Sequence, residues 1–443
     1  MKKSLKLSVF AASVLLSAGA LVGCGGETAS SKYETNTNFE KETITIWATA
    51  AEEQVINAVV KEYNDQQTDE KQKFNINFTA VAESDAGVTL AKDPQVSGAP
   101  ALFLCADDHI ASLTEKDIIA EIKGTRKENV IATTTEVAVK GATKDDKLYG
   151  YPVTSDNGYF LWYNKGITGI DKAVSSLEDL LKLAQDNKKS VLMDVANGWY
   201  ANSFIMSPDA CGTDSLTWST NADGKNVYTT TWDNEVGVKV SEYIGGLLKP
   251  YYDDGTLVTG SNDDITAGFK DGKLIAAVSG TWMESLIKDT AGLGENTAAT
   301  ILPKYHIDGK AYQMASFTGS KVYCINKTQS INAQKTAAAL AELLTTKEAQ
   351  LKRFEMRATL PCNTEAIKDA RYTEHTTIGG AALTAQSEYG CVQSKTAEDR
   401  YWNVGKAIGQ AYLDGKLGKV DGTDTPHTWT TFLKSQMDSI RKA

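Results

Sequence analysis

The chain alternates between stretches of period two and period 3.6. Thr43-Ile44-Thr45-Ile46-Trp47 alternates polar and apolar, as a half-buried strand does, and Val55, Ile56, Val59, Val60 and Tyr63 then follow at helical spacing. Residues 74–78 alternate again, and Pro100-Ala101-Leu102-Phe103-Leu104 closes in a short apolar run. Strand, helix, strand, helix, strand predicts an α/β fold on a mostly parallel sheet covered on both faces. The pattern resumes later, with strands predicted at 159–163 and 190–193 and a helix over 177–183. Between Trp218 and Trp232, Ser219-Thr220-Asn221-Ala222-Asp223-Gly224-Lys225 reads as a hairpin turn, Asp-Gly supplying the tight reversal. This segment lacks the alternating acidic ligands and distant Glu of a calcium loop. Toward the end, Leu340, Leu343, Leu344, Leu351 and Phe354 predict one helical stripe over 331–354. Phe432, Leu433, Met437 and Ile440 predict another over 430–440, both as packing faces.

The first residues break this pattern. Lys2, Lys3 and Lys6 precede an apolar, small-residue stretch from Leu7 to Val22, which ends in Leu21-Val22-Gly23-Cys24. At under ~18–20 strongly apolar residues it is short for a membrane-spanning helix. It resembles the signal of a bacterial lipoprotein: residues 1–23 would be removed and Cys24 would carry the lipid anchor. Residues 24–41, rich in Ser, Thr, Asn and Glu, are expected to be a flexible tether.

Charge and length narrow the function classes. Without residues 1–23 the chain has 420 residues and, three lysines fewer, a formal net charge of −13 instead of −10. Such an acidic surface argues against nucleic acid as a partner and against electrostatic adhesion to anionic lipid. The length exceeds what one hydrophobic core usually serves, so two lobes are expected. Beside Cys24 there are five scattered cysteines, Cys105, Cys211, Cys324, Cys362 and Cys391, with no CxxC spacing. No metal or redox motif and no cofactor is expected. One disulfide stays open, its pairing unfixed, and buried thiols acting as small apolar residues are favoured.

Five segments in order resemble the maltose/maltodextrin-binding proteins of ABC importers, within the extracellular solute-binding proteins. They are Ile44-Thr45-Ile46-Trp47; residues 99–109 (APALFLCADDH) with Ile119-Ala120-Glu121-Ile122; and Lys147-Leu148-Tyr149-Gly150-Tyr151-Pro152 leading to Leu161-Trp162-Tyr163-Asn164-Lys165. The last two are Gly268-Phe269-Lys270-Asp271-Gly272-Lys273 and Val278-Ser279-Gly280-Thr281-Trp282. The resemblance implies a two-lobed, type II periplasmic-binding-protein-like fold with a ligand cleft between hinged lobes. The N-terminal lobe would be 42–154 plus 314–358 and the C-terminal lobe 157–311 plus 363–443. Hinge crossings would fall near 153–157, 313–317 and 358–361.

Sugars suit a particular set of side chains. Their C–H faces pack on aromatic rings, and their hydroxyls bond most strongly to ionised acceptors, about 1.5–3 kcal/mol net each. By resemblance, Asp108 and His109 occupy an Asp-Arg sugar-contacting turn, with His in place of Arg losing the bidentate fork. Asp156 falls beside an acidic hinge contact. Trp199 and Tyr200, in Asn197-Gly198-Trp199-Tyr200, lie where the family has an acidic residue and a stacking Tyr, although no acidic match is visible. Trp282 and Trp402 match stacking tryptophans. Glu52, in Ala51-Glu52-Glu53, stands where the family has Asp-Lys and would accept hydroxyl bonds.

Each assignment has a plainer rival. Asp108 would serve equally as a helix N-cap. Trp47, Trp162 and Trp232 are expected to pack, and His306, His375 and His427 to lie on the surface. An extracellular carbohydrate-active enzyme would also combine carboxylates and aromatics. The chain has no GxSxG, HExxH or Walker motif, and Gly292-Leu293-Gly294-Glu295 reads as a turn. A surface adhesin would call for repeats, which are not evident. The expected protein is therefore a non-enzymatic, monomeric, lipid-anchored extracytoplasmic receptor. It would deliver malto-oligosaccharides, or alternatively xylo- or fructo-oligosaccharides, to ABC permease subunits.

Overall fold

The computed structural model describes residues 42–221, 225–396 and 399–441. The signal segment, Cys24 and the whole tether lie outside these residues, as does the hairpin tip Ala222-Asp223-Gly224. Among the described residues no helix is long and apolar enough to cross a membrane.

Two sheets organise the chain. In the first, Ile44–Ala48 pairs in parallel with Ile76–Ala80 and Leu102–Ala106. The long strand Ser316–Ile325 then joins antiparallel to Leu102–Ala106 and to Tyr151–Gly158, and in parallel with Gly390–Val392. The expectation of a mostly parallel sheet thus holds for the first three strands and is corrected at the late-arriving strand. The second sheet runs in the order Leu257–Val258, Ser190–Leu192, Leu274–Ser279, Phe160–Asn164, Thr297–Thr300. Tyr151–Gly158 belongs to the first sheet and Phe160–Asn164 to the second, so the chain passes between them at the fully buried Tyr159. This is the two-lobed α/β architecture.

Each sheet has its own core. Against the first, helix Ala50–Gln66 buries Val55, Ile56, Val59, Val60 and Tyr63, the stripe its sequence shows. Against the second, Leu177–Asp186 buries Leu177, Leu180, Leu181 and Ala184. The stripe expected as one helix over 331–354 is two, Ile331–Leu344 and Lys347–Arg357. Thr346 causes the break: its hydroxyl accepts from the backbone N–H of Ala349, starting a new helix.

Trp47, Trp162 and Trp232 are buried, and the last two satisfy their indoles on Gly280 O at 3.0 Å and Ser215 Oγ at 2.9 Å. Cys105, Cys324, Cys362 and Cys391 are buried free thiols and Cys211 is a partly buried one. Burial pushes the Cys362 thiol up to about 12.

Candidate functional site

The sequence-predicted residues lie on helices, turns and a strand of both sheets, and hydrogen bonds and ring contacts link several of them. Asp108 follows strand Leu102–Ala106 and precedes helix His109–Glu115, but its side chain makes no capping bond. Its Oδ2 accepts instead from Gln393 Nε2 at 2.9 Å, and its buried Oδ1 has no partner. The N-cap rival therefore falls. His109 packs its ring against Gly87, where a Cβ would come within 2.6 Å of it.

Asp107, next to Asp108, escaped sequence reasoning. It is fully buried and accepts from the backbone N–H of Ser320 at 3.0 Å. Burial, then the charge of Asp108, pushes its carboxyl up to about 8.

Asp156 sits on the strand Tyr151–Gly158, buried, with Thr154 Oγ1 donating to it at 2.7 Å. Lys321 Nζ, on the long strand opposite, lies 3.8 Å from Asp156 and 3.2 Å from Glu83. The charge of Asp156 raises Lys321 above its usual range, while burial raises Glu83 against the opposing pull of that lysine. Lys321 and Glu83 carry no motif and were missed.

The aromatic side belongs to the second sheet. Asn197 caps the short helix Gly198–Ala201 by accepting from Trp199 N at 3.0 Å. Trp199 and Trp282 stand 5.8 Å apart, centroid to centroid and tilted by 31°, and Trp282 keeps 39% of its surface exposed. Gly280 is required here, because a Cβ would come within 2.1 Å of the Trp282 ring. Trp282 Nε1 reaches Asn262 Oδ1 at 3.4 Å.

Tyr200 is largely buried, 4.7 Å from Tyr159 between ring centroids, and burial pushes its hydroxyl up to about 12. It packs more than it projects, yet lines a recess of about 350 Å³ with Asp194, Asn197, Ser261 and Asn262. Burial raises the Asp194 carboxyl, while a hydrogen bond with Asn197 lowers it. Asp194, three residues upstream of Asn197, brings a carboxylate to this recess. Trp402 is half-buried on helix Asp399–Asp414, edge-on to Phe317 and close over Gly198.

Glu52 is corrected. It is 1% exposed, and Arg353 Nε binds its two carboxylate oxygens at 3.0 and 3.2 Å, with Arg357 as a further partner. A buried carboxylate held by two arginines between helices Ala50–Gln66 and Lys347–Arg357 does not face a solute. His306 is exposed, as expected, and pairs with Glu178, Nδ1 to Oε2 at 3.2 Å.

Gln393, the first residue after strand Gly390–Val392, joins these parts. Besides Asp108, its Oε1 accepts from Asn157 Nδ2 and Trp199 Nε1, both at 3.2 Å. Nothing in the sequence marks it beyond a lone amide following an apolar strand. The assembled arrangement offers carboxylates and amides from one sheet and indole faces from the other.

These features describe a two-lobed α/β protein in which residues from both sheets meet around Gln393. A model of the bacterial extracellular solute-binding protein family matches residues 58–379, and the chain belongs to that family. Among curated proteins none is similar enough in sequence to count as a relative. Solved structures resemble it throughout. The maltodextrin binding protein MalE1 from L. casei BL23 aligns with TM-score 0.74 and 21% identity, over 91% of this chain and 100% of its own. A protein solved with acarbose gives 0.69 and 25% over 90% and 99%. The maltose-binding protein MalE from Listeria monocytogenes, in complex with maltose, gives 0.67 and 19% over 90% and 97%. These likenesses are of fold.

Proposed function

We propose that this chain is the substrate-binding lipoprotein of an ABC importer and captures malto-oligosaccharides, linear α-glucan fragments, in the cleft between its lobes. The observation that carries the reading is Trp199 beside Trp282, with Trp199 and Asp108 held on one amide, Gln393: rings for sugar faces, a carboxylate for hydroxyls. Asp156, Tyr200, Trp402 and His109 complete the contact set. The lobes would be 42–154 plus 314–358 and 157–311 plus 363–443. Solute would stabilise the closed form by its differential affinity for it, and the closed form would be what the permease subunits recognise. Cys24 would tether the monomer to the outer face of the cell membrane, residues 24–41 giving it reach. The solved relatives described with maltose or maltodextrin support a linear glucan over a xylo- or fructo-oligosaccharide.

A thermal-shift screen tests this. A solute that binds the folded chain alone stabilises it by RT ln(1 + [L]/Kd), about 4 kcal/mol at a thousandfold excess over Kd. Maltotriose at millimolar concentration should raise the melting temperature by several degrees while cellobiose leaves it unmoved. A shift with xylo- or fructo-oligosaccharides alone would reassign the solute and keep the receptor.

A further inference from the structure

The contacts of Gln393 point beyond a list of sugar ligands. Its Nε2 donates to Asp108 Oδ2 at 2.9 Å, and its Oε1 accepts from Trp199 Nε1 and Asn157 Nδ2 at 3.2 Å each. The orientation of the amide is dictated by its partners, since a carboxylate only accepts and an indole N–H only donates. Gln393 is 5% exposed. Asp108 leaves the first sheet, Trp199 follows strand Ser190–Leu192 of the second, and Asn157 stands on the strand just before the passage between them. One side chain thus ties both lobes and the crossing strand.

A sugar hydroxyl that bound here would do the same thing. It would donate to Asp108 and accept from Trp199. We infer that Gln393 is an internal clasp that competes with the solute: its amide occupies the hydrogen-bonding positions of a sugar hydroxyl and is displaced when the solute binds. The inference rests on the sugar-binding reading above and adds a residue that sets affinity by opposing it. A clasped conformer is incompetent for solute, so the apparent affinity is reduced by the fraction of molecules held in it. The clasp also holds the lobes together without solute.

The test is Gln393→Met, which keeps the length and buried shape of the side chain and loses both amide functions, with Gln393→Ala as a second variant. Two measurements are made on each: calorimetric affinity for maltotriose, and small-angle scattering without sugar. The clasp predicts binding about three- to tenfold tighter than wild type, together with a larger radius of gyration in the sugar-free protein. Weaker binding would make Gln393 a direct sugar contact and overturn the clasp. Unchanged affinity with unchanged scattering would overturn it too. If no carbohydrate binds either protein, the solute assignment falls, while the sugar-free scattering still decides whether Gln393 holds the lobes together.

Discussion

Replacing Trp282 by alanine is the perturbation whose size the structure defines best. A tryptophan side chain presents about 150–250 Å². Trp282 is 39% exposed, which leaves roughly 60–100 Å² of ring for a sugar face to cover. At about 25 cal/mol per Å², covering it is worth about 1.5–2.5 kcal/mol, or roughly a 10- to 70-fold change in Kd. The exposed position means that the core should tolerate the change, and a melting curve would verify that. Calorimetry with maltotriose on wild type and Trp282→Ala then reads the difference directly, with the binding enthalpy falling as well. A loss of less than twofold in a folded variant would remove Trp282 from the site and refute the stacking argument.

Other outcomes follow from individual contacts. Gly280→Ala should weaken maltotriose binding severalfold, because its Cβ would overlap the Trp282 ring; equal affinity would show that the ring position does not matter. Glu52→Ala should cost about 3–5 kcal/mol of stability in urea unfolding by leaving Arg353 buried without its partner, with sugar affinity nearly unchanged. Asp107 keeps its proton to about 8 in the folded chain and releases it near 3.9 when unfolded. The folded state therefore binds more protons in between, and stability should fall by up to about 1.4 kcal/mol per pH unit as pH rises from about 4 to about 8. Asp107→Asn should flatten that slope and gain stability at pH 8; an unaltered slope would show that Asp107 ionises normally.

How much could be read in advance depended on whether the relevant physics was local. The strands Ile44–Ala48 and Leu102–Ala106 and the helix Ala50–Gln66 are written in periodicity, since each buries the face its own sequence makes apolar. The antiparallel entry of Ser316–Ile325 into the first sheet is not, because its partners lie more than 150 residues away in the chain. Thr346 as a cap inside an apolar stripe could have been suspected from its type, and the break that follows from it with it. Motif matches pointed to Asp108, Trp199 and Trp282; in the fold Trp199 lies beside Trp282 and shares the amide of Gln393 with Asp108.

The same reasoning failed at Glu52, whose neighbours Arg353 and Arg357 come from a helix 300 residues later. The long-range partners that neutralise a charge are invisible to a motif. Gln393, Lys321 and Glu83 were missed for a related reason: each gains its meaning only from residues far away in the chain, while Asp194 meets Asn197 in a loop that carries no motif. The described residues leave Cys24 and the tether to sequence reasoning alone.

Binding of a linear glucan at the junction of the two lobes is proposed on the strength of Trp199, Trp282 and Asp108. Its most direct test is a calorimetric titration of the chain beginning after Cys24 against maltose, maltotriose, longer malto-oligosaccharides, xylo-oligosaccharides and fructo-oligosaccharides. The account predicts micromolar or tighter binding, one solute per chain, for maltotriose and longer glucans and none for the other two series. Absence of heat across the malto-oligosaccharide series, with binding to another solute, would contradict it.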